Sequence, residues 1–273
     1  MNKNSRLAIA QNTVQIIDDG FYYVNNEKKD VSFQIKNNIE KTFTIAPEEW
    51  SAIMSKPIIE NKESAEIVVK NCSTMEAMFY ENNTKIAILN FASAKNPGGG
   101  FLGGASAQEE SLARSSSLYA SLTKDKTMYE YNKNQRSFLY SDYMIYSPAT
   151  LFWFNDEGHT LTNEIVVDVI TSPAPNKGAM LQHNRTEEIA QIEEVFIKRI
   201  EHVLHIANQQ KIETLILGAW GCGVFRNEPK EVATLFRKVI EEKYAKAFKK
   251  IVFAIRDSSE KKQVLKAFEE IVS

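Results

Sequence analysis

The sequence predicts an α/β fold: a three-layer α/β/α sandwich on a mixed sheet, with an N-terminal helix and a small β extension. Three observations predict it. From Lys85 onward, short apolar runs alternate with helical periodicities, the order that covers both faces of a sheet with helices. Lys85–Asn90 and Ile165–Ile170 are almost continuously apolar, as strands buried on both faces are. Glycines gather in two loops, each directly after such a strand.

Taken in order, Leu7, Ala10, Val14 and Ile17 have helical spacing over about Asn4 to Asp19, with Gly20 as the stop. Val31–Ile35 and Thr42–Ile45 alternate apolar with polar and predict two strands, paired as a hairpin. Pro47–Met54 predicts a short helix and Glu66–Lys70 a strand. Ser73 and Glu76 form a capping box for a helix to Tyr80. After the first apolar strand and its glycine loop, Gln108–Leu122 predicts one helix. Asp142–Ser147 and Leu151–Phe154 are extended around Pro148, and Glu164–Thr171 is a buried strand. A long helix over Arg185–Gln209, a strand at Thr214–Gly218, a helix over Lys230–Tyr244, a strand at Lys250–Ile255 and a helix over Ser258–Val272 complete the chain. No linker composition separates residues 1–63 from 64–273. The first stretch is therefore expected to pack as a helical and β extension on a catalytic body formed by the second.

Composition narrows the function classes. The 273 residues are 43% hydrophobic and 25% charged, with a net charge of −2. That is an ordinary globular balance and gives no ground for a nucleic-acid-coating or membrane-surface protein. The two cysteines, Cys72 and Cys222, form no metal spacing and no disulfide framework, which points to the cytoplasm. His159, His183, His202 and His205 show no ligand pattern, so neither metal nor cofactor is expected.

Of 11 glycines, five are Gly98, Gly99, Gly100, Gly103 and Gly104, and three are Gly218, Gly221 and Gly223. Two such clusters after buried strands point to close approach of backbone to a ligand at the carboxyl edge of the sheet. The first loop runs from Asn90 through Asn96-Pro97-Gly98-Gly99-Gly100 to Gln108-Glu109-Glu110. Its residues alone leave two other readings open: a turn feeding a helix whose first-turn carboxylates suit the helix dipole, or a weak match to G-x-G-x-x-G. The second loop, Gly218-Ala219-Trp220-Gly221-Cys222-Gly223-Val224-Phe225, offers backbone N–H groups beside a helix start at Pro229, which suits a diphosphate. A tight turn with Phe225 in the core fits the same residues. Cys222 has no triad partners and reads as a small residue beside the phosphates.

The glycine triplet, the seven-residue spacer Phe101–Ala107 and Gln108-Glu109-Glu110 together resemble the signature of microbial-type poly(ADP-ribose) glycohydrolases. So do Ser111–Tyr119, Asp168–Asn176 and Gly218–Phe225. The resemblance implies a macrodomain fold and hydrolysis of ribose–ribose bonds, from chain ends, releasing ADP-ribose from poly(ADP-ribose) or ADP-ribosylated protein. It implies Glu110 as general acid/base, Glu109 on the ribose hydroxyls and Asn96 on the distal ribose. Gln108 joins the substrate-binding set. The backbone of Gly98, Gly99 and Gly100 and the loop Gly221, Cys222, Gly223, Val224 and Phe225 would clamp the diphosphate. Neighbouring helical residues point about 100° apart, so the two glutamates are expected to divide the work. The alternatives are a non-catalytic ADP-ribose reader, a mono-ADP-ribosyl hydrolase and, from the weak glycine match, a nucleotide-dependent oxidoreductase.

Overall fold

A computed structural model describes residues 1–81 and 84–272. The chain runs α1 (Lys3–Asp19), β1 (Phe21–Val24), β2 (Glu27–Asp30), α2 (Ser32–Lys41), β3 (Phe43–Ile45), α3 (Trp50–Met54), β4 (Glu66–Lys70), α4 (Thr74–Tyr80) and β5 (Ile86–Phe91). It continues through α5 (Gln108–Ser115), α6 (Leu118–Lys124), α7 (Thr127–Asn134), β6 (Met144–Phe154), β7 (Thr160–Ser172), α8 (Lys177–Gln182), α9 (Thr186–Ile189) and α10 (Ile192–Gln209). β8 (Thr214–Leu217), α11 (Pro229–Val239), β9 (Lys250–Ala254) and α12 (Gln263–Val272) close it.

Seven strands form one mixed sheet in the order β3-β6-β7-β5-β8-β9-β4. β7, β5, β8, β9 and β4 are mutually parallel, while β6 runs antiparallel to both of its neighbours. One core packs α10, α11 and α12 against one face; a second packs α4, α5, α6 and α7 against the other. This is the expected α/β/α sandwich on a mixed sheet. Residues 43–45, within the N-terminal extension, supply its edge strand.

Several elements differ from the expectation. Val31–Ile35 is not a strand: α2 covers it, because Val31, Ile35 and Asn38 are buried at helical spacing while Phe33 is 77% exposed. Asp30 accepts from Ser32 N at the helix start. The hairpin lies earlier, between β1 and β2, where Asn25 and Asn26 both take positive φ. The single helix expected over Gln108–Leu122 breaks at Ser116, whose backbone is extended and bridges to Phe152. There Ser116 Oγ donates to Leu112 O and Ser117 Oγ to Asn38 Oδ1, the side-chain competition that ends helices at serine runs. Arg185–Gln209 divides into α9 and α10. The extended pieces around Pro148 join as β6, with a register shift between Ser147 and Thr150. Past that bend the β6–β7 hairpin curls back, and Asp156 near its tip accepts a hydrogen bond from Ser73 Oγ. His202 stacks on Trp50, and His205 Nε2 bonds Ile53 O, so both histidines serve the core.

Candidate active site

The loops that follow β5, β8 and β9 meet at the carboxyl edge of the sheet around a cleft of about 650 Å³. Gln108 and all of Gly221–Phe225 line it. Asn96, Gly98–Gly100, Glu109 and Glu110 are not on that wall. They cluster between β5 and α5, next to the wall residues Gln108 and Ser111.

Within this cluster the two glutamates have opposite surroundings. Glu109 is buried at 3% exposure. Its Oε2 accepts from Ser93 N at 2.6 Å and its Oε1 from Asn90 Nδ2 at 3.2 Å. Burial pushes its carboxyl up to about 8, against the Ser93 and Asn90 donors. Glu110 is half-buried, and its Oε1 accepts from Gly100 N at 3.0 Å. Both carboxyl groups close on Gly99, where a Cβ would stand 2.4 Å from Glu110 Oε1 and 3.2 Å from Glu109 Oε2. Gly99 also takes φ +59°, so two independent requirements exclude a side chain there. The adjacent carboxylates thus address one loop from different environments, one buried and one half-exposed.

Gln108 joins the helix start to the strand end. Its Oε1 accepts from Phe91 N at 2.9 Å, and its Nε2 donates to Leu89 O at 2.8 Å and Thr74 Oγ1 at 3.2 Å. The exposed Asn96 donates its backbone N–H to Ser93 Oγ and accepts from Gly99 N. Its side-chain amide bonds none of the described residues.

The second loop hangs from two anchors. Trp220 is fully buried, edge-to-face on Phe196, with Nε1 donating to Ser172 O at 3.1 Å. Asn227 Nδ2 donates to Pro175 O at 2.8 Å and Gly221 O at 3.0 Å. Gly221 takes φ +75°, and a Cβ there would meet Asn227 Nδ2 at 2.6 Å. Between the anchors, the N–H groups of Gly223, Val224 and Phe225 bond none of the described residues. Unpaired backbone donors at a cleft, just ahead of α11, form an anion cradle. Phe225 is half-buried beside Tyr140, with ring centres 6.0 Å apart. Burial, with the Glu228 charge, pushes the Cys222 thiol up to about 12, so it stays neutral and is no nucleophile.

The family model for the catalytic domain of microbial-type PARG, poly(ADP-ribose) glycohydrolase, matches residues 10–155. The chain belongs to this family. It is similar to the crystal structure of PARG from Thermomonospora curvata, with 36% identity, a TM-score of 0.91 and coverage of 98% of this chain and 99% of that one. The same enzyme bound to the inhibitor ADP-HPD matches with a TM-score of 0.89. PARG from Deinococcus radiodurans in complex with ADP-ribose matches at 38% identity and a TM-score of 0.83, over 88% of this chain and 97% of that one. No curated protein sequence matches the chain.

Within this PARG-family site, sequence reasoning missed the residues that hold Glu109 and the second loop. Asn90 is buried at the end of β5, and its Nδ2 bonds both Glu109 and Thr171 Oγ1. The available signal was a polar residue inside an apolar strand. Ser93 and Asn227 act through a backbone N–H and a loop bond, which leave no mark in sequence.

Proposed function

We propose that this PARG-family chain hydrolyses the ribose–ribose O-glycosidic bonds of poly(ADP-ribose) and releases ADP-ribose, with Glu110 as general acid/base. The observation that carries this is the pairing of a half-exposed Glu110, held by Gly100 N, with a buried Glu109 across Gly99. Cleavage passes through an oxocarbenium-like transition state, in which the leaving ribose oxygen takes a proton and water then attacks the anomeric carbon. Glu110 gives that proton and afterwards accepts one from the water. Glu109, fixed by Ser93 N and Asn90, holds ribose hydroxyls. Asn96 bonds the distal ribose. The free N–H groups of Gly223–Phe225 hold the diphosphate, and Phe225 packs against the ligand; the Gly98–Gly100 backbone approaches the same ligand, with its Gly99 and Gly100 N–H groups already given to Asn96 O and Glu110 Oε1. Gln108 serves this set from behind, since both ends of its amide bond the protein.

Cleavage from chain ends is proposed on the family resemblance, and so is a substrate of free polymer or ADP-ribosylated protein. Among the described residues no helix is long and apolar enough to cross a membrane. Two free cysteines support a cytoplasmic location. Glu110→Gln, assayed on defined polymer and on mono-ADP-ribosylated peptide, is expected to lose ADP-ribose release by at least about 100-fold. Undiminished release sinks the assignment. Tight ADP-ribose binding by wild type with no turnover supports a reader instead.

A further inference from the structure

The cleft lies between the two helical layers. The Gly221–Phe225 loop, which leads to α11, forms one side of it. On the other side α1 and α5 contribute Arg6, Ser106, Ser111 and Arg114 to the wall. Arg6 Nε donates to Gly104 O at 2.7 Å and Arg114 Nη1 to Ala105 O at 3.2 Å, so the two guanidinium groups hold consecutive carbonyls of one turn. Arg6 Nη1 also donates to Met1 O, and Arg114 Nη2 to Ser111 Oγ.

Arg114 is 2% exposed and Arg6 is half-buried. A guanidinium taken out of water needs a counter-charge to offset its lost hydration. The other buried arginine, Arg199, has one in Asp142 at 2.9 Å. Among the described residues, neither Arg6 nor Arg114 has a carboxylate within ion-pair distance. Burial, and then the neighbouring Arg6 charge, push the Arg114 guanidinium below its ordinary value; Glu110 and Asp156 oppose this only from farther off. Arg6 Nη2, Arg114 Nε and the exposed Ser106 hydroxyl bond none of the described residues. Free donors beside two adjacent positive charges suit an acceptor with two negative charges. A phosphate monoester carries nearly two at neutral pH, whereas each phosphorus of a diphosphate bridge carries one.

With the diphosphate on the facing loop and the distal ribose at the glutamates, the adenosine ribose is the remaining group whose hydroxyls can bear such a phosphate. We propose that Arg6 and Arg114 form a second anion site in the cleft, taking a 2′-phosphate monoester on the adenosine ribose, so that the protein prefers ADP-ribose 2′-phosphate to ADP-ribose. The proposal rests on the ADP-ribose reading of the cleft and adds a ligand class to it.

Calorimetry on the full chain compares ADP-ribose, ADP-ribose 2′-phosphate and a two-unit ADP-ribose oligomer. Wild type is expected to bind the 2′-phosphate at least about 10-fold more tightly than ADP-ribose, as charge-assisted hydrogen bonds do. Arg6 is the residue to change, since loss of the buried Arg114 would also unsettle the turn. Arg6→Gln keeps an amide donor for Gly104 O and drops the charge, and is expected to bring the two affinities within about 3-fold of each other. Equal affinities in wild type overturn the proposal without any variant, and so does an unchanged ratio in Arg6→Gln. Tighter binding of the oligomer with no preference for the monoester also overturns it, because the pair then serves a second polymer unit. Binding of none of the three by wild type overturns the ADP-ribose reading itself and this proposal with it, a result distinct from loss of preference alone.

Discussion

Gly99 is the residue on which the active-site geometry turns. Alanine there would put a methyl 2.4 Å from Glu110 Oε1 and force a positive φ on a residue with a side chain. The carboxyl must then move by the order of 1 Å, and with Glu110 in the acid/base role proposed for it, a displacement of that size costs about 100-fold in rate. Gly103 belongs to the same loop and supplies the control, since a Cβ there meets nothing within 4 Å and no positive φ is involved. Steady-state assays on polymer are expected to show Gly99→Ala down by at least about 100-fold and Gly103→Ala within about 3-fold of wild type. Equal effects of the two substitutions would mean that general loop flexibility, not room for the carboxyls, explains the triplet. The triplet was legible because glycine is scarce in this chain and clusters only where the backbone must approach something. Glu109 was legible as a carboxylate but not as a buried one, because its burial depends on Asn90 and Ser93 arriving from β5.

Elements were legible where one period dominated and misread where two fitted. Val31, Phe33 and Ile35 satisfy both alternation and a helical i, i+4 pair. Only the exposure of Phe33 decides, and that is a tertiary fact. The Asn25–Asn26 turn was a local signal for the true hairpin, since asparagine tolerates positive φ better than most residues. The break between α5 and α6 is held from outside. Asn38 on α2 accepts from Ser117 Oγ at 2.8 Å and donates to Pro148 O at 2.7 Å, tying the break to the bend in β6. Asn38 is fully buried, so Asn38→Ala leaves the Ser117 hydroxyl and the Pro148 carbonyl short of partners. Urea unfolding is expected to show a loss of about 2–3 kcal/mol. A loss under about 0.5 kcal/mol would mean that α6 and the β6 bend do not depend on α2.

Across the whole molecule, two carboxyl groups, Asp142 and Glu109, pull stability in opposite directions with pH. Arg199 on α10 is 1% exposed; it bonds Asp142 Oδ1 at 2.9 Å, and Pro173 O and Tyr140 O at 3.0 Å each. It therefore joins the helical layer to the segments entering β6 and leaving β7, which support Phe225 through Tyr140 and Gly221 through Asn227. Burial pushes the Asp142 carboxyl up, but the Arg199 charge and the hydrogen bonds from Lys198 and Arg199 outweigh it and hold it below the ordinary range. A carboxyl with a depressed folded value gives stability that is present above its unfolded value and lost as pH falls through the folded one. Asp142→Asn, which leaves a buried guanidinium without its counter-charge, is expected to cost about 3–5 kcal/mol at pH 7. That deficit should shrink below about pH 4, where the unfolded chain takes up the proton first and wild type loses the pair's stability as pH falls through the lower folded value. Glu109 has the opposite sign. Its folded value is raised from 4.5 to about 8, so the folded chain keeps a proton that the unfolded chain has released. Its contribution is fully present below 4.5 and is lost as pH rises through about 8. Glu109→Gln carries a permanently neutral group there, so its stability relative to wild type should rise across that window, by at most about 1.4 kcal/mol per pH unit, and level off above it. Urea unfolding of wild type and both variants from about pH 2.5 to about pH 9 covers both windows and measures the two slopes together. The level of the Glu109→Gln difference includes lost hydrogen bonds; only its dependence on pH reports the proton. A difference that stays flat between pH 5 and 8 would mean that Glu109 is ionised in the folded enzyme, and its Ser93 and Asn90 donors would then have to outweigh its burial.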